Sequence, residues 1–178
     1  MNKMKKQKGV FAIELGFILF ALCAIFLFAT DISHKLLVRA KLDRTSFALV
    51  NILKERYRYF DGNVVNKLNL DVTETELLEM RKVAARLLNT TEDEVAIKIE
   101  SLVDAQFTTT FTSAKFDSLG CSVGSISSEA GLAPTESGTI YPLYRVSVCE
   151  EHDSWFDPFV GGSTEDIAVT SSSVMPGR

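Results

Sequence analysis

The sequence predicts an α+β chain: a long N-terminal helix, with a transmembrane half and an amphipathic half, packed on a small antiparallel β-sheet head with a second helix. Three observations predict it. Residues 10–29 carry one charge in twenty positions. Residues 31–60 contain no Pro and no Gly and repeat apolar side chains at intervals of three to four. Beyond residue 94 the pattern changes to alternation and β-rich composition, punctuated by Gly, Ser and Pro.

The helix begins behind a short basic leader, residues 1–9, with Lys3, Lys5, Lys6 and Lys8 and no acid. Twenty residues are the length needed to cross a hydrocarbon core of ~30 Å. Thirteen of residues 10–29 are Leu, Ile, Val or Phe, and together they favour insertion by about 4–8 kcal/mol. The one carboxylate, Glu14, costs ~2.5–3.5 kcal/mol at the bilayer centre and less near an end. Insertion wins, and the four lysines orient the N-terminus to the cytoplasm. A cleaved secretory signal has a shorter apolar region and a small-residue cleavage site, which this run lacks. Leu22 is a poor residue before a lipidated Cys23. An uncleaved signal anchor accounts for the lysines and the length but leaves Glu14 unexplained, and an ionisable residue inside a span points to function.

These residues carry a resemblance. A basic leader ending in Gly9, four mostly apolar residues, Glu14 at the fifth position and a long apolar helix resemble the type IV prepilin pattern. The resemblance implies cleavage by a membrane peptidase between Gly9 and Val10. It also implies that Glu14 is an assembly carboxylate, meeting the new α-amino group of a neighbouring subunit. A buried carboxylate is tolerable when a cation pairs it. Val10 stands where that class more often has phenylalanine, and Leu15 where the small Tad/Flp major pilins have an aromatic.

The 178 residues leave about 148 after leader and span, enough for one ordinary domain over 61–178. Removing the four leader lysines from 19 basic residues leaves 15 against 23 acids, a formal charge of −8. The acids are scattered, and an acidic domain argues against nucleic acid as partner. Membrane lipid is met through residues 10–30. Cys23 lies in the span and reads as a small hydrophobe. Cys121 and Cys149, beyond it, read as one disulfide in an oxidising compartment, with two free thiols as the alternative. The only histidines are His34 and His152, so no metal-ligand spacing exists and no metal or cofactor is expected.

In residues 31–60, Leu36, Ala40, Phe47, Val50, Leu53, Tyr57 and Phe60 form an apolar period, and Gly62 supplies a stop. One helix of about fifty residues, ~75 Å, is expected over 10–59. A juxtamembrane stalk or coiled coil is the alternative. Thr73 with Glu76 has capping-box spacing and opens a second helix whose buried face is Leu77, Met80, Ala84, Leu87 and Leu88. Strands are expected over 94–100, 107–116, 141–149 and 167–174. Residues 117–139 read as a loop. Residues 151–163, with Trp155, Phe156 and Phe159, read as an aromatic loop that packs on the core or covers a sheet edge, with binding of a ligand or partner as the alternative. No nucleophile elbow, phosphate loop or metal motif supports an enzyme, and His152 reads as a loop residue.

The stretch Lys41-Leu42-Asp43-Arg44-Thr45-Ser46-Phe47-Ala48-Leu49-Val50-Asn51-Ile52-Leu53-Lys54-Glu55-Arg56 narrows the resemblance. With Pro142-Leu143-Tyr144-Arg145-Val146-Ser147-Val148-Cys149 and the terminal Ser173-Val174-Met175-Pro176-Gly177-Arg178, it resembles TadF, the minor pseudopilins of the tight-adherence (Tad/Flp) pilus. The resemblance implies a type IV pilin-like fold and processing by a prepilin peptidase. It implies assembly with a TadE-like sister pseudopilin, the major Flp pilin and the inner-membrane Tad complex, the head being periplasmic. Asp43, Arg44, Glu55 and Arg56 are candidate subunit contacts on one reading and an ordinary solvated helix face on the other. A type II secretion pseudopilin and an uncleaved single-pass protein with an exported ligand-binding or sensing domain are the other readings of the chain.

Overall fold

The computed structural model describes residues 8–60, 70–136, 138–152, 154, 156 and 167–177, and not the side chains of residues 8–10, 56–60 and 167. Helix α1, Lys8–Phe60, is uninterrupted over 53 residues, about 80 Å at the α-helical rise. With no breaker between 31 and 60, the apolar half runs directly into the half that meets the head. It is one helix among the described residues long and apolar enough to cross a membrane. The expected stop at Gly62 lies outside the described residues.

Helix α2, Glu74–Leu88, starts as its sequence dictates. Glu76 N donates to Thr73 Oγ1 at 3.3 Å, and Thr73 N donates to Glu76 Oε2 at 2.7 Å. Two of the helix's orphan donors are thereby satisfied reciprocally. Asn89 closes it in the left-handed region at φ 54°, a conformation asparagine tolerates. The buried face is Leu77, Met80, Ala84, Ala85 and Leu88; Leu87, expected there, is 47 % exposed. Thr73→Ala removes the cap oxygen and lowers stability by about 1 kcal/mol. An unchanged denaturation midpoint would contradict the capping box.

The head is one antiparallel sheet in the order β2-β1-β5-β6, formed by β1 (Ala96–Val103), β2 (Phe107–Thr112), β5 (Leu143–His152) and β6 (Ile167–Pro176). Between β2 and β5 lie a short helix α3, Ala114–Ser118, and a two-residue hairpin of β3 (Thr135–Glu136) with β4 (Thr139–Ile140). β1 lies between β2 and β5, with Ile99 opposite Phe111 and Val146.

Several boundaries differ from those expected, each for a local reason. Glu92–Glu94 makes a 3-10 turn, so β1 starts later, at Ala96. β2 ends at Thr112 because Ser113 turns the chain: its Oγ accepts from Ile97 N at 3.0 Å and donates to Val95 O at 2.9 Å. Phe116, expected in a strand, is instead the buried residue of α3. Residues 117–139, expected as a loop, also hold the 3-10 segment Ile126–Leu132 and the β3–β4 hairpin. β5 begins after Pro142, which has no N–H for a central ladder, and continues to His152 because Ile167 pairs with it. His152 is therefore a strand residue, buried at 2 % exposure.

One sheet face packs on α1 and α2. Ile97, Ile99, Tyr144, Val146 and Val148 meet Leu42, Leu49, Val50 and Leu53 in one cluster. The stripe of α1 that makes this contact is the predicted one only in part: Val50 and Leu53 are in it, fully buried. Thr45 and Ser46 are buried beside those leucines, whereas Leu36 and Phe47 are 61 % and 55 % exposed. The reason is polar. Ser46 Oγ lies 3.2 Å from Ser171 Oγ and 2.9 Å from Ser173 Oγ on β6, and Ser171 donates to Asp43. Hydroxyls that satisfy one another can be buried without apolar marking, so apolar spacing alone misplaced the face.

The other sheet face is covered by α3 and the segment that follows it. Cys121 and Cys149 form a disulfide, with Cα atoms 6.4 Å apart. Leu102 and Leu143 pack on Ile126. Arg145, 2 % exposed, donates from Nε to Glu100 Oε2 at 2.6 Å, and from its terminal nitrogens to Gly124 O and to Glu129 Oε1. At the end of β6, a Cβ on Gly177 would stand 2.7 Å from Tyr144 Cε2. Only glycine lets that backbone close on Pro142, to which Gly177 N donates at 2.7 Å.

Candidate assembly site on the N-terminal helix

The apolar half of α1 projects beyond the head. Phe11, Ile13, Phe17 and Ile18 are each more than half exposed. Glu14 sits among them, exposed, and among the described residues it has no hydrogen-bonding or ionic partner. Gly9 and Val10 lie in the first turn of α1. The first four N–H groups of a helix lack intrahelical acceptors, so the Gly9–Val10 peptide lies in the least restrained turn. Val10 and Glu14 are four residues apart, one above the other on one helix face.

The four candidate subunit contacts are placed differently from one another. Asp43 accepts from Ser171 of its own head. Glu55 lies 4.0 Å from Lys54 in an ion pair between neighbours in the chain. The side chain of Arg56 lies outside the described residues. Arg44 is exposed and makes no ion pair among the described residues. It borders a shallow groove with Leu37, Ala40, Ala48 and Leu87.

At the junction between the apolar half and the head, the structure joins residues that sequence spacing left apart. Phe28 meets Phe156 edge-on with ring centres 5.2 Å apart, so Phe156 lies against the helix, outside the core clusters. Trp155 and Phe159 lie outside the described residues. Ser154 Oγ donates to Asp31 Oδ2 at 3.0 Å. His34 Nδ1 lies 3.3 Å from His152 Nδ1, across 118 residues of sequence. His152 Nε2 is 3.5 Å from Asp31 Oδ1, long for a hydrogen bond, and Nε2 has no hydrogen-bond partner of good geometry among the described residues. Nothing in the sequence flagged this pairing, because proximity of His34 to His152 depends on where β5 ends against α1.

No cluster of three or more His, Cys, Asp or Glu side chains is disposed around a common metal position among the described residues. The model of one protein family, TadF, tight adherence pilin protein F, matches residues 2–178. No curated protein and no solved structure matches the chain.

Proposed function

The chain belongs to the TadF family of tight adherence pilin proteins, and from that premise we propose that it is a minor pilin-like subunit needed to assemble a Tad/Flp pilus. The leader, residues 1–9, is removed by a prepilin peptidase between Gly9 and Val10. The span, residues 10–30, holds the mature chain in the inner membrane with its N-terminus cytoplasmic and residues 61–178 periplasmic. The partners are a TadE-like sister pseudopilin, the major Flp pilin and the inner-membrane Tad complex. The role is structural and involves no catalytic step.

One observation carries this reading: a carboxylate, Glu14, with no partner among the described residues, in an exposed apolar helix. An ionised carboxylate in hydrocarbon is costly unless a cation pairs it. Cleavage creates such a cation at the Val10 α-amine, one turn away on the same helix face and equally presented to a neighbouring helix. Glu14→Ala is therefore expected to insert normally and to fail in pilus assembly, having lost a pair whose disruption costs about 3–5 kcal/mol per buried contact. Membrane fractionation and counting of surface pili measure both halves. Normal piliation removes the assembly role. Mass spectrometry of the mature chain is expected to find Val10 at its N-terminus; retention of residues 1–9 in cells with an active peptidase favours an uncleaved anchor instead.

A further inference from the structure

We propose that His34 and His152 form a two-imidazole site for a divalent transition metal of the zinc class, clamping α1 to the end of β5 where the apolar half of the helix meets the head. The argument starts from where the two rings point. Their Nδ1 atoms face each other at 3.3 Å, and their ring centres are 5.1 Å apart. A tetrahedral zinc bound at ~2.0–2.1 Å by two imidazole nitrogens places those nitrogens roughly 3.3 Å apart and the ring centres about 5.1 Å apart. Two nitrogens aimed straight along one line at the same separation would hold their ring centres farther apart, at roughly 5.5 Å. Both separations match those of two imidazoles on one ion.

The surroundings fit the same chemistry. A metal-bound histidine commonly donates its other ring N–H to a carboxylate, which sets the tautomer and orients the ring. Asp31 Oδ1 is placed for that role, 3.5 Å from His152 Nε2, and Ser154 Oγ holds its second oxygen at 3.0 Å. His152 is buried, and its Nε2 otherwise lacks a well-directed hydrogen bond among the described residues. A metal on Nδ1 puts the proton on Nε2, facing Asp31. His34 is exposed on α1, so solvent reaches the site from that side. With two protein ligands the ion keeps open positions for water or another donor, and no group of three or more His, Cys, Asp or Glu stands there among the described residues. Imidazole ligands select zinc, copper or nickel over magnesium or calcium. Thiol competition within the head is absent among the described residues, because Cys121 and Cys149 are joined.

The test uses the full chain, solubilised in detergent, carrying no histidine tag and stripped with chelator. Zinc chloride is titrated calorimetrically. One zinc per chain is expected, with a rise in melting temperature that chelator reverses. Asp31→Asn keeps the stoichiometry and weakens binding by about 10–100-fold. His34→Ala is expected to abolish saturable binding, and His152→Gln to do the same. Cobalt(II) in place of zinc is expected to give the visible absorption of a tetrahedral centre in the native chain and none in His34→Ala. Absence of saturable zinc binding overturns the proposal and leaves a hydrogen-bonded pair of imidazoles. Equal binding by the native chain and His34→Ala overturns it as well, since the ion would then sit elsewhere.

Discussion

Arg145→Leu is expected to destabilise the head by about 3–5 kcal/mol. The guanidinium lies under the segment after α3 and faces Glu100, itself 3 % exposed. Removing it leaves a carboxylate buried without its principal partner, and that desolvation cost is the larger part of the effect. Lys98 Nζ remains 3.1 Å from Glu100 Oε1, which puts the loss toward the lower figure. The same change releases the contacts to Gly124 O and Glu129, so the segment around Ile126 loosens with it. Denaturant titration of the detergent-solubilised chain measures the loss. A change no larger than that of an exposed pair, about 1 kcal/mol or less, would show that the pair is effectively solvated. Arg145→Leu combined with Glu100→Leu is expected to recover most of the stability, because two apolar side chains leave no orphaned charge.

The second large effect is loss of the disulfide. Cys121 and Cys149 are separated by 28 positions. Closing a loop of that length restricts the unfolded chain by roughly 3–4 kcal/mol in the chain-entropy model. In the folded head the bond joins the segment after α3 to β5, beside Ala96 and Phe116. Replacing both cysteines by serine is expected to lower the unfolding free energy by that amount and to expose Phe116 to quenchers before the rest of the core opens. Reduction of the native chain gives the same shift. If dithiothreitol leaves the midpoint unmoved, the bridge contributes nothing to stability.

Arg145 and Glu100 also show why parts of the fold were illegible in the sequence. Ala96-Ile97-Lys98-Ile99-Glu100 alternates, and alternation normally puts the polar set in water. Here residues 117–133 cover that face, and the polar set is retained by pairing Glu100 with Arg145 on the adjacent strand. The β1–β2 turn was equally hidden. It places Asp104 and Ala105 at φ 52° and 57°, positions that Asn-Gly would advertise and Asp-Ala does not. The stripe of α1 that meets the sheet includes the expected Val50 and Leu53 but was misplaced around residues 45–47, because Thr45 and Ser46 are buried through hydroxyl contacts while Phe47 faces outward. In each case long-range contacts override a local pattern.

The sequence by itself determined the elements whose cause is local. Hydropathy over residues 10–29 specifies an apolar helix, the absence of a breaker to residue 60 continues it, and Thr73 with Glu76 starts α2 through backbone donors within reach of their own side chains. Glu14 stood out for the same reason, since a carboxylate in an apolar run is anomalous whatever surrounds it; its assembly role, and cleavage between Gly9 and Val10, are proposals that the resemblance implies. Only the tertiary structure decided which stripe of α1 is covered, that Asp43 turns to its own β6, that Arg145 is buried over Glu100, and that His34 and His152 meet. Those outcomes depend on strand register and on the seating of the helix across the sheet. Both are set by side chains far apart in sequence, whose contact energies no local window contains.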